Sequence, residues 1–131
     1  MFDGGAAKGA VQGGPKLILR IEGLVVLIGA ALAYRAVDGN WWLFAILFLV
    51  PDISMLGYLS NPALGARLYN LAHSYVLPAI LLAMFLWIGN PLGVAIAIIW
   101  IAHIGFDRFA GYGLKYESSF GATHLGRIGR K

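Results

Sequence analysis

The sequence lacks cysteine altogether and is poor in charge, and both absences narrow the classes of protein it can encode. Without cysteine there is no disulfide-stapled fold, no thiolate metal site, no iron–sulfur cluster and no cysteine nucleophile. Only 12% of the 131 residues are charged, whereas an average soluble domain is about 25% charged. The 18 glycines show no triplet repeat, which excludes a collagen-like chain. The sequence also contains no phosphate-binding loop, dinucleotide fingerprint or tandem repeat.

In place of charge the sequence has hydrophobic residues. They make up 60% of the chain, and the mean hydropathy is +0.76. This composition excludes a disordered protein, which needs low hydrophobicity and high charge. It also argues against a soluble domain, because so short a chain has a large surface to cover with few charges. The composition therefore indicates a membrane protein.

Four apolar runs occupy residues 16–36, 41–59, 63–88 and 91–110, and turn-forming residues separate them. Each run is long enough to cross about 30 Å of hydrocarbon at about 1.5 Å per residue. The short joints make neighbouring helices antiparallel. We therefore predict an all-α polytopic membrane protein, with an antiparallel four-helix transmembrane bundle over residues 16–110. A flexible tail is expected over residues 1–15, and a cytoplasmic or interfacial tail over residues 111–131.

Lysine and arginine are distributed unequally between the two ends of the predicted bundle. Nine of the ten lie on the side that holds both termini, and only Arg35 lies on the other. The positive-inside rule then places both termini in the cytoplasm of a multi-pass inner-membrane protein. The net charge of +4 thus reports membrane orientation rather than nucleic-acid binding, and the expected partners are the lipid bilayer and a possible second copy of the chain.

Five ionisable side chains lie inside the predicted helices, where charge is costly. They are Glu22, Asp52, His73, His103 and Asp107. Counted from the cytoplasmic ends of their helices, all five lie at depths of about 5 to 15 Å. Each helix contributes at least one of them. This shared depth predicts a polar site in the cytoplasmic half of the bundle.

The spacing of these residues sharpens the prediction. His103 and Asp107 are four residues apart, and Asn70 and His73 are three apart, so each pair shares one face of a helix. Asp52 follows Pro51, which breaks the second helix and frees backbone carbonyls there. Carboxylates and imidazoles that converge from facing helices form the usual metal site of a helical bundle.

The most specific function that these residues suggest is a metal-dependent hydrolase of a lipid-like substrate. The predicted metal ligands are Asp52, His73, His103 and Asp107, and they suit Zn²⁺, Mn²⁺ or iron. The predicted catalytic bases are Glu22 and Asp52. The residues predicted to contact substrate or lipid are Asn70, Arg108 and Lys115.

Other functions remain open from the sequence. The same acids and histidines suit a cation or proton carrier, which would need an oligomer because four helices are few for a transporter. A non-enzymatic membrane interaction subunit is a third possibility, and its polar cluster would only fix the helix register. Haem bound by His73 and His103 is a weaker hypothesis than a single divalent metal, because carboxylates rarely lie so close to a haem iron.

Four short strings carry a family resemblance: PDIS at 51–54, YNLAHS at 69–74, AHIGFDR at 102–108 and GYGLKY at 111–116. With them, residues 17–125 resemble the small bacterial membrane proteins of domain-of-unknown-function family 4260. The resemblance implies a membrane location and draws attention to these residues, but it implies no activity. The chain is more loosely similar to membrane-bound metal-dependent hydrolases, although it lacks their denser clusters of histidine and aspartate.

Overall fold

The structure, a computed structural model, describes residues 9–115 and 122–127. Nearly all of them are helical. The helices are α1 (Gly13–Ala36), α2 (Trp41–Leu47), a 3₁₀-helix (Val50–Leu59), α3 (Pro62–His73), α4 (Val76–Ile88) and α5 (Pro91–Ala110). Two short strands follow, β1 (Ala122–Thr123) and β2 (Gly126–Arg127). Much of both predicted tails lies outside the described residues, at 1–8, 116–121 and 128–131.

The predicted four-helix membrane fold is confirmed. Four helical stretches are long and apolar enough to cross a membrane: Gly13–Ala36, Trp41–Leu59, Pro62–Ile88 and Pro91–Ala110. Their ends agree with the predicted runs, except that the first begins at Gly13 rather than Lys16 and the third at Pro62 rather than Ala63. The side chains of Asn40, Asn61 and Asn90 cap the helices that follow the three joints, by accepting hydrogen bonds from backbone N–H groups.

Two of the four stretches are interrupted. In the second, α2 ends at Leu47 and the 3₁₀-helix begins at Val50, so the break predicted from Pro51 is confirmed. In the third, Ser74 is extended between α3 and α4, although the sequence suggested one continuous helix. Pro78 explains this break, because its ring clashes with the carbonyl of residue 74 and it has no N–H to donate. His73 is consequently the last residue of α3.

Helix α5 is the centre of the bundle. In its membrane-spanning window 67% of the residues are buried, compared with 17% or less in the other three stretches. Gly23, early in α1, lies against Gly105, late in α5, whereas Tyr34, late in α1, packs in the same cluster as Val94, early in α5. The two helices are therefore antiparallel. The outward faces of the other helices carry large exposed apolar side chains, which suits contact with lipid.

The chain after α5 folds back over the end of the bundle. Strands β1 and β2 form a small antiparallel hairpin, and Lys115 pairs with Thr123 beside it. The backbone N–H of His124 donates to Leu114 (2.9 Å), and the N–H of Val11 donates to the carbonyl of His124 (2.8 Å). The described part of the predicted C-terminal tail is thus packed against the helices and against the N-terminal segment. Both ends of the described chain lie on one side of the bundle; that this side is cytoplasmic stays a prediction.

Candidate metal centre

Four of the predicted site residues meet inside the bundle. Asp52 comes from the 3₁₀-helix, His73 from the end of α3, and His103 and Asp107 from α5. One possible ligand atom of each lies within 4.8 Å of all the others. Three different helices therefore contribute to one cluster of two imidazoles and two carboxylates.

The separations within this cluster match those around a tetrahedral metal ion. His73 Nε2 lies 3.0 Å from Asp52 Oδ1, 3.1 Å from His103 Nε2 and 3.4 Å from Asp107 Oδ2. His103 Nε2 lies 3.2 Å from each of the same carboxylate oxygens. A tetrahedron with bonds of about 2.0 Å has edges of roughly 3.3 Å. Five of the six possible separations are therefore close to the expected edge.

Local structure explains why these side chains converge. The break at Pro51 starts a new helix, and Asp52 lies in its first turn. The break before Pro78 ends α3 at His73. His103 and Asp107 lie one turn apart on α5, so the same helix face presents both.

The hydrogen bonding of His73 determines which of its nitrogens is available. Its Nδ1 lies 2.9 Å from the carbonyl oxygen of Tyr69, and a carbonyl can only accept, so Nδ1 carries the proton in the neutral ring. Nε2 then points an unshared electron pair into the cluster. The ring also stacks on that of Tyr69, with centroids 3.7 Å apart and planes 7° apart. This support of the outer nitrogen is usual for metal-binding histidines.

The cluster could hold a cation. The unshared pair of His73 Nε2 and the carboxylate oxygens of Asp52 and Asp107 all converge, and three acceptors at such distances repel one another unless protons or a metal ion lie between them. The side chains of His73, His103 and Asp107 are 0%, 2% and 8% exposed, so water screens them little. The side chain of Asp52 is 33% exposed and forms the open edge of the cluster.

The same geometry does not favour the haem alternative. Two histidines that bind one haem iron lie on opposite faces of the ring, with nitrogens roughly 4 Å apart and the porphyrin between them. The Nε2 atoms of His73 and His103 are only 3.1 Å apart and face each other directly.

A cavity of about 260 Å³ lies beside the open edge. Its polar lining includes Asp52, His103, Asp107 and Lys115, and its apolar lining includes Phe48, Leu49, Met55 and Phe106. A mostly apolar cleft with a few placed polar groups is typical of small-molecule sites. These apolar residues could not be predicted from the sequence, because they resemble all the others in an apolar run.

Lys115 is buried in this cavity, at 3% exposure. Its Nζ lies 4.6 Å from the centre of the Tyr69 ring, a cation–π contact. Burial lowers the pKa of Lys115 to about 8, although the nearby charges of Asp107 and Asp52 act in the opposite direction. The prediction that Lys115 belongs to the site therefore has a geometric basis.

Asn70 has a further role that the sequence did not suggest. Its Nδ2 donates to the carbonyl of Lys115 (2.8 Å), and its Oδ1 accepts from the N–H of Lys115 (2.6 Å). Both ends of the amide thus hold the backbone of Lys115, and a contact of Asn70 with substrate stays a prediction.

Arg108 also departs from the prediction. It is buried, and its guanidinium donates to the carbonyls of His73 (2.8 Å) and Tyr112 (3.3 Å). The break after His73 leaves that carbonyl without a helical partner, which explains why a buried arginine is tolerated there. Arg108 therefore fixes the end of α3 instead of reaching toward a substrate phosphate.

Glu22 does not join the other acids. Its side chain is exposed and lines a separate cavity of about 290 Å³, together with Tyr75, Arg108 and His124. Glu22 therefore lies apart from the four candidate ligands, and its role as a catalytic base stays a prediction. Helix α1 has apolar residues on every side, so its sequence gave no face from which to infer the direction of Glu22.

Tyr69 also lies at the site, although the prediction from the sequence does not include it. Its position four residues before His73 places both on one face of α3, and that spacing is the signal that would have found it.

The chain is thus a multi-pass helical membrane protein with a candidate metal centre in its interior. The chain is a member of the family described as domain of unknown function DUF4260, whose model matches residues 16–128. The matched range includes all four candidate ligands and Lys115, and it confirms the resemblance seen in the sequence. Neither a curated protein nor a solved structure matches the chain significantly.

Proposed function

We propose that this protein is a metal-dependent hydrolase that acts on an amphiphilic, anionic substrate at the cytoplasmic face of the inner membrane. The observation that carries the proposal is the near-tetrahedral cluster of Asp52, His73, His103 and Asp107 at the edge of a cavity that is part charged and part apolar.

The four candidate ligands divide by exposure. His73, His103 and Asp107 are buried and would hold the metal, as three protein ligands do in catalytic zinc sites that keep one position open. Asp52 is the partly exposed member and faces the cavity, where a carboxylate is placed to accept a proton from water. Of the two bases expected from the sequence, Asp52 is therefore the one that we retain.

Zn²⁺, Mn²⁺ and iron all suit a set of two imidazoles and two carboxylates. A divalent ion there would lower the pKa of a coordinated water to about 7, which makes hydrolysis possible near neutral pH. Asp52, at the cavity edge, would accept a proton from water, and the Tyr69 carbonyl holds His73 in the tautomer whose Nε2 could bind a metal.

The cavity lining indicates the substrate class. Lys115 supplies a positive charge that pairs with an anionic group such as a phosphate, and Phe48, Leu49 and Phe106 offer apolar contact on other walls. A molecule with a charged head and a hydrocarbon part satisfies both, and the bilayer is where such molecules are concentrated.

A second candidate function, a cation carrier working as an oligomer, is favoured by one observation. If Asp52 also ligates, four protein groups complete a tetrahedron and leave no position for water, which is the arrangement of a site that holds its ion rather than uses it. The role of Asp52 therefore separates the two functions.

The experiment that tests the proposal is metal analysis of the detergent-purified protein by mass spectrometry. We expect about one divalent ion per chain, lost when His73 and His103 are both replaced by alanine. His124 is the third histidine of the chain and lies outside the cluster, so His124→Ala is the matched control and should keep the ion. A wild-type protein that binds no Zn²⁺, Mn²⁺ or iron when each is supplied would show that the cluster is only a proton-sharing structural network.

A further inference from the structure

A second cavity, of about 320 Å³, lies beside the candidate metal centre and is almost wholly apolar. Its two polar side chains are already satisfied: Ser54 Oγ donates to the carbonyl of Pro51 (2.7 Å), and Trp100 Nε1 donates to the carbonyl of Ala72 (2.5 Å). The walls therefore present hydrocarbon to whatever fills the cavity.

This cavity shares its helices with the metal centre. Pro51 directly precedes Asp52, Ala72 directly precedes His73, and Ile99 lies one turn before His103. Along α5 the cavity is reached about 6 Å before the first ligand, at about 1.5 Å per residue. The cavity is thus on the side of the centre that lies deeper in the membrane than the first cavity, which Lys115 lines.

One wall of the apolar cavity is open to lipid. Ile96 lines it and is 40% exposed on the surface that α5 shows to the membrane. A chain could therefore enter sideways from the bilayer, without passing through water. The volume is enough for roughly ten groups of the size of a water molecule or a methylene, at about 30 Å³ each.

We propose that this cavity holds the hydrocarbon chain of the substrate while its anionic head lies at the metal centre. This inference rests on the proposed function and adds the substrate class: a single-chain or lipid-linked phosphate ester whose alkyl chain runs toward the membrane centre. The occupant is a hydrocarbon chain rather than a protein segment, because a backbone placed there would find no hydrogen-bond partner for its own N–H and C=O groups.

The cavity selects chains rather than anchoring them. Lipid tails are as apolar as the cavity walls, so moving a chain from the bilayer into the cavity releases little free energy. Stable occupation consequently needs the head group to bind as well, and the effect of the cavity is to choose among chains by length and shape.

Trp100 reports occupation directly, because bromine atoms quench tryptophan fluorescence on contact. The probe is an alkyl phosphonate with a brominated chain, added in unbrominated detergent to Zn²⁺-loaded protein. Trp41, Trp42 and Trp87 are replaced by phenylalanine so that Trp100 is the remaining tryptophan of the four. A matched protein that keeps only Trp87, which is 90% exposed, reports simple partitioning into the micelle.

We expect a saturable loss of Trp100 fluorescence with the phosphonate, and a non-saturable loss at Trp87. The brominated alcohol of the same chain length should give no saturable loss at Trp100. Ala72→Leu, which fills the cavity, should abolish the saturable loss but keep the metal, whereas Ala79→Leu on the exposed face of α4 should change neither. Ile96→Phe is a second filling variant, in case Ala72→Leu does not fold.

Metal analysis of the same samples separates two kinds of failure. If the protein binds metal but Trp100 shows no saturable loss, or both folded filling variants leave the loss unchanged, the chain cavity is wrong and the proposed function stands. If the protein binds no metal, the proposed function is wrong and this inference falls with it.

Discussion

Asp52 and Asp107 approach the same pair of imidazoles, but they differ in how far water reaches them. Each has a carboxylate oxygen 3.2 Å from His103 Nε2, yet the Asp52 side chain is 33% exposed and that of Asp107 only 8%. The proposed function accordingly gives these two carboxylates different tasks.

The first prediction follows from this difference. Asp107→Asn should remove the metal, because a buried ligand is lost, whereas Asp52→Asn should keep metal but lower hydrolysis by about 10²–10⁴-fold, the usual contribution of a general base. The measurements are metal content by mass spectrometry and the rate of phosphate-ester hydrolysis in micelles. Equal loss of metal from both variants would favour the four-ligand carrier instead.

The second prediction concerns the amide that holds Lys115. Asn70→Leu removes both hydrogen bonds to the Lys115 backbone, at about 0.5–1.5 kcal/mol each. The free energy of unfolding should therefore fall by roughly 1–3 kcal/mol. KM for an anionic substrate should rise more than kcat falls, since in the proposed function Lys115 binds the head group, and Asn70 is not one of the candidate metal ligands. Substrate kinetics that change no more than in a surface control such as Ser60→Ala would contradict the positioning role.

The third prediction concerns the crossing of α1 and α5. A Cβ on Gly23 would lie 2.5 Å from Arg108 Cβ and 2.7 Å from the backbone nitrogen of Phe109, and backbone atoms cannot move aside cheaply. Gly23→Ala should cost about 1–3 kcal/mol, as overpacking usually does. Gly29→Ala, on the same helix, is the control: nothing lies within 4 Å of its Cβ position, and the higher helix propensity of alanine should stabilise by up to about 1 kcal/mol. Unfolding in mixed micelles measures both, and similar effects of the two variants would show that α1 does not approach α5 so closely.

The fourth prediction is a pH dependence. Burial lowers the pKa of Lys115 to about 8, so its positive charge is present below that pH and is lost as the pH rises through it. Binding of an anionic substrate should weaken over the same range, and a bound divalent cation would move the transition further down. Lys115→Arg should abolish this alkaline loss, because arginine keeps its charge up to about pH 12. A KM that does not vary between about pH 6 and pH 10 would contradict the role of Lys115.

As the pH rises, the contribution of Lys115 to the free energy of unfolding should change in the opposite direction to substrate binding. The ordinary lysine pKa of 10.5 applies in the unfolded chain, so that chain binds more protons than the folded one between about pH 8 and pH 10.5. The contribution of Lys115 to stability therefore rises with pH across this window, while substrate binding falls. Measuring both substrate binding and stability over this pH range therefore distinguishes the titration of Lys115 from a general effect of alkali.

The sequence was sufficient to predict the helices and most of the candidate ligands, for a physical reason. Apolar length specifies what crosses a membrane, and a charged residue at depth is so costly that Asp52 and Asp107 required partners. The spacing of His103 and Asp107 then determined their shared face.

The sequence could not predict how each helix is rotated about its own axis, or which distant segments of the chain pack against each other. Glu22 lies on a helix that is apolar on all sides, so no periodicity reveals which way it points. The fold-back that buries Lys115 depends on hydrogen bonds to Asn70, 45 residues earlier in the chain, and local patterns do not encode such a pairing. The position of Arg108 could not be predicted from the sequence. Its partner is the carbonyl of His73, which is freed by a helix break within a continuous apolar run.

The buried position of Arg108 has a consequence for the order in which the protein assembles. Asp52 and Asp107 carry two negative formal charges, and Arg108 and Lys115 carry two positive ones within the same end of the bundle. The group is electrically balanced by the polypeptide itself, so the helices can enter the membrane and pack before any ion arrives. A divalent ion then adds a surplus of two positive charges, and an incoming dianion is the species that restores neutrality.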